Sequence, residues 1–266
     1  MASRGCSGWQ CARGVRSWTA VAVFAAGVAL VPAHASARPL VVGSFTTRFP
    51  CCQPRVVNIR RAAQLLDGRT LPPGGRFSMN RALGRRTRAR GFVPAPMIAG
   101  GRLVDSVGGG TSQVATTLYN AAFFAGLDLV AHTPHSFYIS RYPPGREATI
   151  SWGGPELVFD NDWEAPLQMR LAVGSTGITV RFYSEPLGRR IEAWSGKPFA
   201  FVQQTTVVEH NPGLPYGSRR VVQEAGSAGF TIDYGRRVYR PGRPARNERW
   251  RVRYQPENRI VEVGTR

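Results

Sequence analysis

The stretch GGGTSQVATTLYNAAFFAG, residues 108–126, constrains the fold more than any other part of the chain. Val114, Leu118, Ala121, Ala122 and Ala125 fall on one helical stripe, and Gly126 is a natural stop. The apolar face is small, so this helix can pack closely on a sheet. Three glycines run directly into it. A helix start of this kind offers free N–H groups and partial positive charge, which suits an anion or a developing negative charge.

A second helix is expected over VVNIRRAAQLLDG, where Val56, Ile59, Ala63 and Leu66 recur at helical spacing and Gly68 can close the end. Most of the remainder reads as short strands and turns, in keeping with 30 glycines and 20 prolines. PLVVGSFTTRF, HSFYISRY, ATISWG and ELVFDN have strand character, and APMIAGGRLVDSVGGG suits a hairpin around Gly100-Gly101. LQMRLAVGSTGITVRFYS reads as another hairpin, with Leu167, Met169 and Leu171 on one face and Ile178, Val180 and Phe182 on the returning one. RALGRRTRARGF reads as a solvated loop. The expected class is α+β, with two main helices packed on antiparallel strands. From Phe201 the texture changes: helical periodicity stops, glycines recur, and TTVVEH, RRVVQEA, GFTIDYGRRVYR, RWRVRYQP and RIVEVGT read as strands of an all-β glycine-rich module. That gives 1–37 as a leader, 38–185 as an α+β domain, 186–200 as a linker and 201–266 as the β module.

The leader is read from Arg4, Arg13 and Arg16, an apolar run from Trp18 to Val31, and small-x-small cleavage patterns near Ala35 and Ala37. It predicts export to the cell wall or beyond. Fourteen apolar residues are short for a span, so membrane attachment is expected through an uncleaved leader if at all. The net charge is +19, of which those three arginines contribute three, leaving +16 for the rest. Such basicity points to an anionic partner, and for an exported chain an acidic wall polymer fits better than nucleic acid. It is also compatible with general surface basicity, since Lys197 is the one lysine among 35 basic residues. Cys51 and Cys52 are adjacent. Outside the cytoplasm they suit a vicinal disulfide, although bridges to another chain and free thiols remain alternatives.

RVVNIRRAAQLLDGRTLPPGGRFSMN, GRLVDSVGGGTSQVATTLYNAAFFAGLDLV and HTPHSFYISRYPPGREATISWG, in that order, resemble the VanW-like family over residues of about 45–185. EAGSAGFTIDYGRRVYRPGR and RIVEVGT are similar to the G-five domain, a glycine-rich β module of bacterial surface proteins. The resemblance implies a cell-envelope protein of the kind associated with glycopeptide resistance, with peptidoglycan or its precursors as the partner. It brings no established reaction and no cofactor. Many members of the family carry cysteine where this chain has Ser112, and aspartate where it has Glu147.

Three readings of the site follow. In the first, the glycine run and helix start form an anion nest: Gly108, Gly109, Gly110, Thr111, Ser112 and Gln113, joined by His135, Arg141 and Arg146, bind a carboxylate or phosphate. In the second, Ser112 is a nucleophile, His135 or His132 its base and Glu147 the orienting carboxylate, in the order of Cys-His-Asp hydrolases and transpeptidases, with Gln113 or glycine N–H groups as oxyanion donors. Serine gains little from a helix dipole, so binding without catalysis is favoured. In the third, Thr111 or Ser112 only caps the helix and the chain is a structural envelope adaptor. His132 and His135 alone are too few ligands for a metal, and none is expected. Trp152, Trp163, Trp194 and Trp250 are read as core residues, with sugar stacking as the alternative.

Overall fold

The structure is a computed structural model and describes residues 39–99 and 101–266. The expected leader lies outside the described residues. The chain is mostly β with few helices. The elements are β1 (Leu40–Arg48), α1 (Pro54–Leu66), β2 (Thr70–Leu71), β3 (Arg76–Ser78), α2 (Met79–Leu83), β4 (Pro94–Ala99), β5 (Arg102–Val107), α3 (Thr111–Phe124) and β6 (Asp128–Ala131). They continue with β7 (Val158–Asp160), β8 (Leu167–Val173), β9 (Gly177–Ser184), β10 (Arg190–Ser195), β11 (Phe199–Val202) and β12 (Thr206–Asn211). The last four are β13 (Arg219–Gln223), β14 (Gly229–Arg240), β15 (Arg243–Tyr254) and β16 (Arg259–Gly264).

The first sheet has the order β1-β9-β8-β2. Its hairpin β8–β9 buries Leu167, Met169, Leu171, Ile178, Val180 and Phe182, the alternating set read from the sequence. Helix α3 packs on β1 and β9. Gly43 on β1 makes this approach possible: a Cβ there would lie 2.5 Å from Ala121 O and 2.6 Å from Ala125 Cβ. Helix α1 packs on β8 and α3, and β4–β5 form the hairpin expected around residues 100–101.

Helix α3 is more enclosed than an amphipathic stripe predicts. Thr111 and Gln113–Phe123 are all buried. The reason lies in the C-terminal strands. Strand β14 carries β15 on one edge and β10 and β11 on the other. Phe230, Ile232, Tyr234, Val252 and Tyr254 from β14 and β15 join the same hydrophobic core as α1, α3 and the first sheet. The β module is therefore docked on the helix rather than appended. Its outer sheet, β12-β16-β13, is different: β12 and β13 are largely exposed on both faces.

Two expectations need correction here. The stretch 186–200, read as a linker, carries β10 and the start of β11, both paired with β14. A strand lying edgewise on a sheet shows little period-two patterning when both its faces are exposed, as in β10. HSFYISRY and ATISWG form no strands. Prolines at 134, 143, 144 and 155 interrupt the segment, and α3 satisfies its backbone instead. The arginine run 81–90 is also partly ordered: Arg86 donates to Asn80 Oδ1 at 2.7 Å and Arg90 to Leu83 O at 2.7 Å.

At the carboxyl end of α3, the fully enclosed Arg236 of β14 donates to the carbonyls of Ala122, Phe123 and Leu127 and pairs with Glu248 of β15. Its charge also complements the negative end of the helix dipole. Replacing Arg236 with Met keeps the bulk but removes its bonds to three carbonyls and its pairing with Glu248, which retains Arg246 at 2.9 Å. The expected loss is about 2–3 kcal/mol of unfolding free energy, the scale of hydrogen bonds to a charged group, measured by urea denaturation of the chain. A loss below about 1 kcal/mol, the scale of one ordinary hydrogen bond, would show that docking does not depend on this contact.

Candidate functional site

The site is built around the polar face of α3. Ser112, Thr116 and Asn120 stand four residues apart, one above the other on the helix. Ser112 Oγ accepts from Ile150 N at 3.3 Å, Thr116 Oγ1 accepts from Ala148 N at 3.0 Å, and Asn120 Nδ2 donates to Arg146 O at 2.7 Å. This ladder lays residues 146–150 along the helix and replaces the strand partner that the segment lacks. It also fixes Glu147, which is fully buried.

Glu147 Oε2 lies 2.6 Å from Nδ1 of the buried His135. That pairing makes Nδ1 the protonated nitrogen and leaves Nε2 as the free one. Tyr142 stacks on the imidazole, with centroids 6.0 Å apart and planes 13° apart. His135 lines a cleft of about 560 Å³ together with Gly110, Ser112, Arg141, Tyr142 and Arg55. Arg55, in the first turn of α1, was not foreseen, because its approach to α3 spans 58 residues. It donates to Gln113 Oε1 at 2.6 Å, and its Nε is buried without a protein partner. Burial lowers the Arg55 pKa, the Tyr142 hydroxyl opposes this, and Arg141 adds to the lowering. Burial raises the pKa of Tyr142, so it stands as a neutral phenol. Met97, Ile98 and Leu103 of the β4–β5 hairpin give the cleft an apolar wall.

The first two glycines of the run have their N–H groups engaged within the protein. Gly108 N donates to Val93 O, Gly109 N to Ser106 O, Thr111 N to Gly108 O and Gln113 N to Gly110 O. Asn58 Nδ2 donates to Gly109 O at 2.8 Å, and a Cβ on Gly109 would lie 2.1 Å from Ala95 O. Gly110 has φ of 94° and faces the Arg55 side chain. The run clamps the helix start between α1 and β4, and of its glycines Gly110 lines the cleft. Thr111 Oγ1 donates back to Gly108 O, so its hydroxyl is occupied within the turn. The Gln113 amide is buried and engaged with Arg55, Thr47 and Arg48 O, which removes it as an oxyanion donor.

Arg146 lies apart from the cleft, its guanidinium over the rings of Phe123 and Phe124 at 5.4 and 5.1 Å. His132 is also separate: it stacks on Tyr119 at 4.3 Å and its Nε2 is 3.1 Å from Tyr234 Oη. The two histidines therefore do not converge on one point. Cys51 and Cys52 are both exposed, and no bridge joins them in the structure. Trp163 and Trp250 belong to the core or pack against it, while Trp152 and Trp194 are exposed.

Ser112, His135 and Glu147 thus occupy one neighbourhood in the expected order, but the chain of hydrogen bonds stops at His135. Among the described residues, Ser112 Oγ is bonded to the backbone of Ile150 and not to an imidazole. The serine works as a strut for the segment that bears Glu147.

Residues 54–183 match a family model described as VanW like protein. This VanW-like region falls within the stretch that the sequence phrases marked out. The chain is 38% identical over 153 residues to the uncharacterized protein YoaR of Bacillus subtilis (strain 168), covering 57% of this chain and 50% of that one. It is 24% identical over 138 residues to the vancomycin B-type resistance protein VanW of Enterococcus faecalis (strain ATCC 700802 / V583), covering 49% and 50%. The chain spans about half the length of the curated relatives it matches. Among solved structures it is similar to an IgA1 protease G5 domain, at 24% identity and a TM-score of 0.18, covering 29% of this chain and 88% of that domain. A second G5 structure, HP0197-G5, gives 17% identity and a TM-score of 0.15 over 29% and 95%.

Burial lowers the His132 pKa from 6.5 to about 4. The folded chain therefore holds this ring neutral where the unfolded chain protonates it. Stability from this group is full above pH 6.5 and declines as pH falls toward 4. His132→Gln is expected to flatten that part of the stability–pH curve in urea denaturation series. An unchanged slope between those limits would assign the dependence to other groups.

Proposed function

We propose that the chain is an exported cell-envelope protein that binds a carboxylate of peptidoglycan peptides, or of their precursors, in the cleft between α1 and α3, without catalysing a reaction. The observation that carries this reading is the pair of guanidinium groups, Arg55 and Arg141, at a cleft that also holds Gly110, Ser112 and His135. Arginine is well suited to a planar carboxylate, and the buried Arg55 Nε has no protein partner. The apolar wall from Met97 and Leu103 suits the side chain or backbone of a short peptide. The envelope setting is supported by the leader pattern, by the net positive charge, and by the likeness to a protein named for vancomycin resistance.

A second reading, a hydrolase or transpeptidase acting on peptidoglycan peptides, draws on the 2.6 Å contact between His135 and Glu147 beside Ser112. Against it stands the Ser112 hydroxyl, which is held by Ile150 rather than by the base. A structural adaptor role would leave the arginine-lined cleft without a task.

The test compares an N-acyl dipeptide bearing a free terminal carboxylate with its terminal amide, by calorimetry on the mature chain. The carboxylate is expected to bind and the amide to lose most of the affinity. Arg141→Ala is expected to weaken the carboxylate roughly tenfold or more, the scale of a hydrogen bond to a charged group. Equal binding of both peptides, or of neither, overturns the reading. Incubation with muropeptides separates the alternative: products that vanish with Ser112→Ala would establish catalysis instead.

A further inference from the structure

The C-terminal β module reaches the cleft at its edge and behind its wall. Ser227 and Glu257, in the turns flanking β14 and β15, line the cleft. Beyond the end of β15, Gln255 N donates to Ser136 O at 2.8 Å, beside His135. Tyr254, the last residue of β15, is buried, and its hydroxyl accepts from Gly145 N at 2.7 Å and donates to Glu147 Oε1 at 3.3 Å. Its ring packs against Tyr138 at 5.5 Å and Phe230 at 4.9 Å. The module thus touches the segment that bears His135 and the segment that bears Glu147, through consecutive residues of one strand end.

We infer that Tyr254 is a positioning residue for the His135–Glu147 pair, and that the cleft is a site shared by the two parts of the chain. The inference rests on the reading of this cleft as the binding site. The geometry divides the work between the two carboxylate oxygens. Oε2 faces His135 and Oε1 takes the Tyr254 hydroxyl. With both oxygens engaged the carboxylate has one orientation, and that orientation sets the imidazole. Burial and the neighbouring Glu147 raise the Tyr254 pKa, so the hydroxyl keeps its proton and remains a donor. The N–H of Gly145 aligns the phenol, which closes the chain Gly145–Tyr254–Glu147–His135. Other contacts between the two parts, such as the 2.8 Å bond between Tyr119 Oη and Tyr234 Oη, join them without reaching His135.

The readout is the proton on His135 Nδ1, followed by NMR in the mature chain with labelled histidine and assigned with the aid of His132→Gln. In the unaltered chain its hydrogen bond to Glu147 is expected to give a downfield, slowly exchanging signal. Tyr254→Phe removes one hydroxyl at constant ring volume. It is expected to shift or broaden that signal and to weaken dipeptide carboxylate binding by about tenfold. Tyr234→Phe, which deletes a hydroxyl at the same junction, is expected to leave the signal in place. Should Tyr254→Phe fail to fold, 3-fluorotyrosine at position 254 keeps the shape while strengthening the donor, and the signal is expected to move. A His135 signal indifferent to both changes at Tyr254 overturns the inference. Because this readout needs no peptide, a chain that binds no dipeptide but shows the Tyr254 dependence would refute the proposed ligand and leave the positioning role standing.

Discussion

A helix buried along nearly its whole length has to settle most of its polar groups inside the protein, and α3 is such a helix. Its side-chain polar groups find partners in the irregular segment 146–150, through Ser112, Thr116 and Asn120. Its terminal carbonyls find Arg236, a side chain contributed by β14 from the far end of the sequence. Its amino end is clamped by the glycine turn, by Asn58 and by the Arg55–Gln113 bond. Each of these partners comes from a different part of the chain. The helix is thus the point at which the VanW-like region and the β module become one core.

This arrangement explains why the cleft sits where it does. The segment that lies along α3 carries Glu147, and the loop that enters it carries His135. Neither residue belongs to a regular element, so neither is held by a ladder of backbone bonds. They are held instead by the helix on one side and by the end of β15 on the other. A loop held from two sides can present functional groups with little conformational freedom, which lowers the entropic cost of binding.

The regular elements were legible to the extent that they were periodic. The 167–184 hairpin shows its alternation because one face is buried and the other wet. Helix α3 was legible by its spacing, but the extent of its burial was not, because the strand that meets Tyr119, Ala122 and Phe123 lies more than a hundred residues away. Strand β10 was read as a linker because neither face is buried, which removes the signal that pattern reading uses. The site was legible in part. Ser112, Gly110, His135 and Arg141 do line one cleft, and Glu147 stands behind His135. Gln113, Arg146 and the first two glycines have structural partners instead. One signal was present and overlooked: Ser112, Thr116 and Asn120 recur at intervals of four, the spacing of a polar ladder on a helix. Arg55 and Tyr254 left no such trace, since their roles arise from contacts across the fold.

The ladder also bears on why serine can stand where many members of the resembled family have cysteine. A hydroxyl at position 112 accepts the Ile150 N–H, and so helps to seat the irregular segment that ends in Ile150. A thiol is a weaker and longer acceptor, so it would hold that backbone less firmly and be freer to engage His135. Beside that hydroxyl, the cleft presents the pair of guanidinium groups, the helix start at Gly110, and the imidazole paired with Glu147. Groups of that kind suit negative charge, which is what the carboxylate proposed above would bring to the cleft.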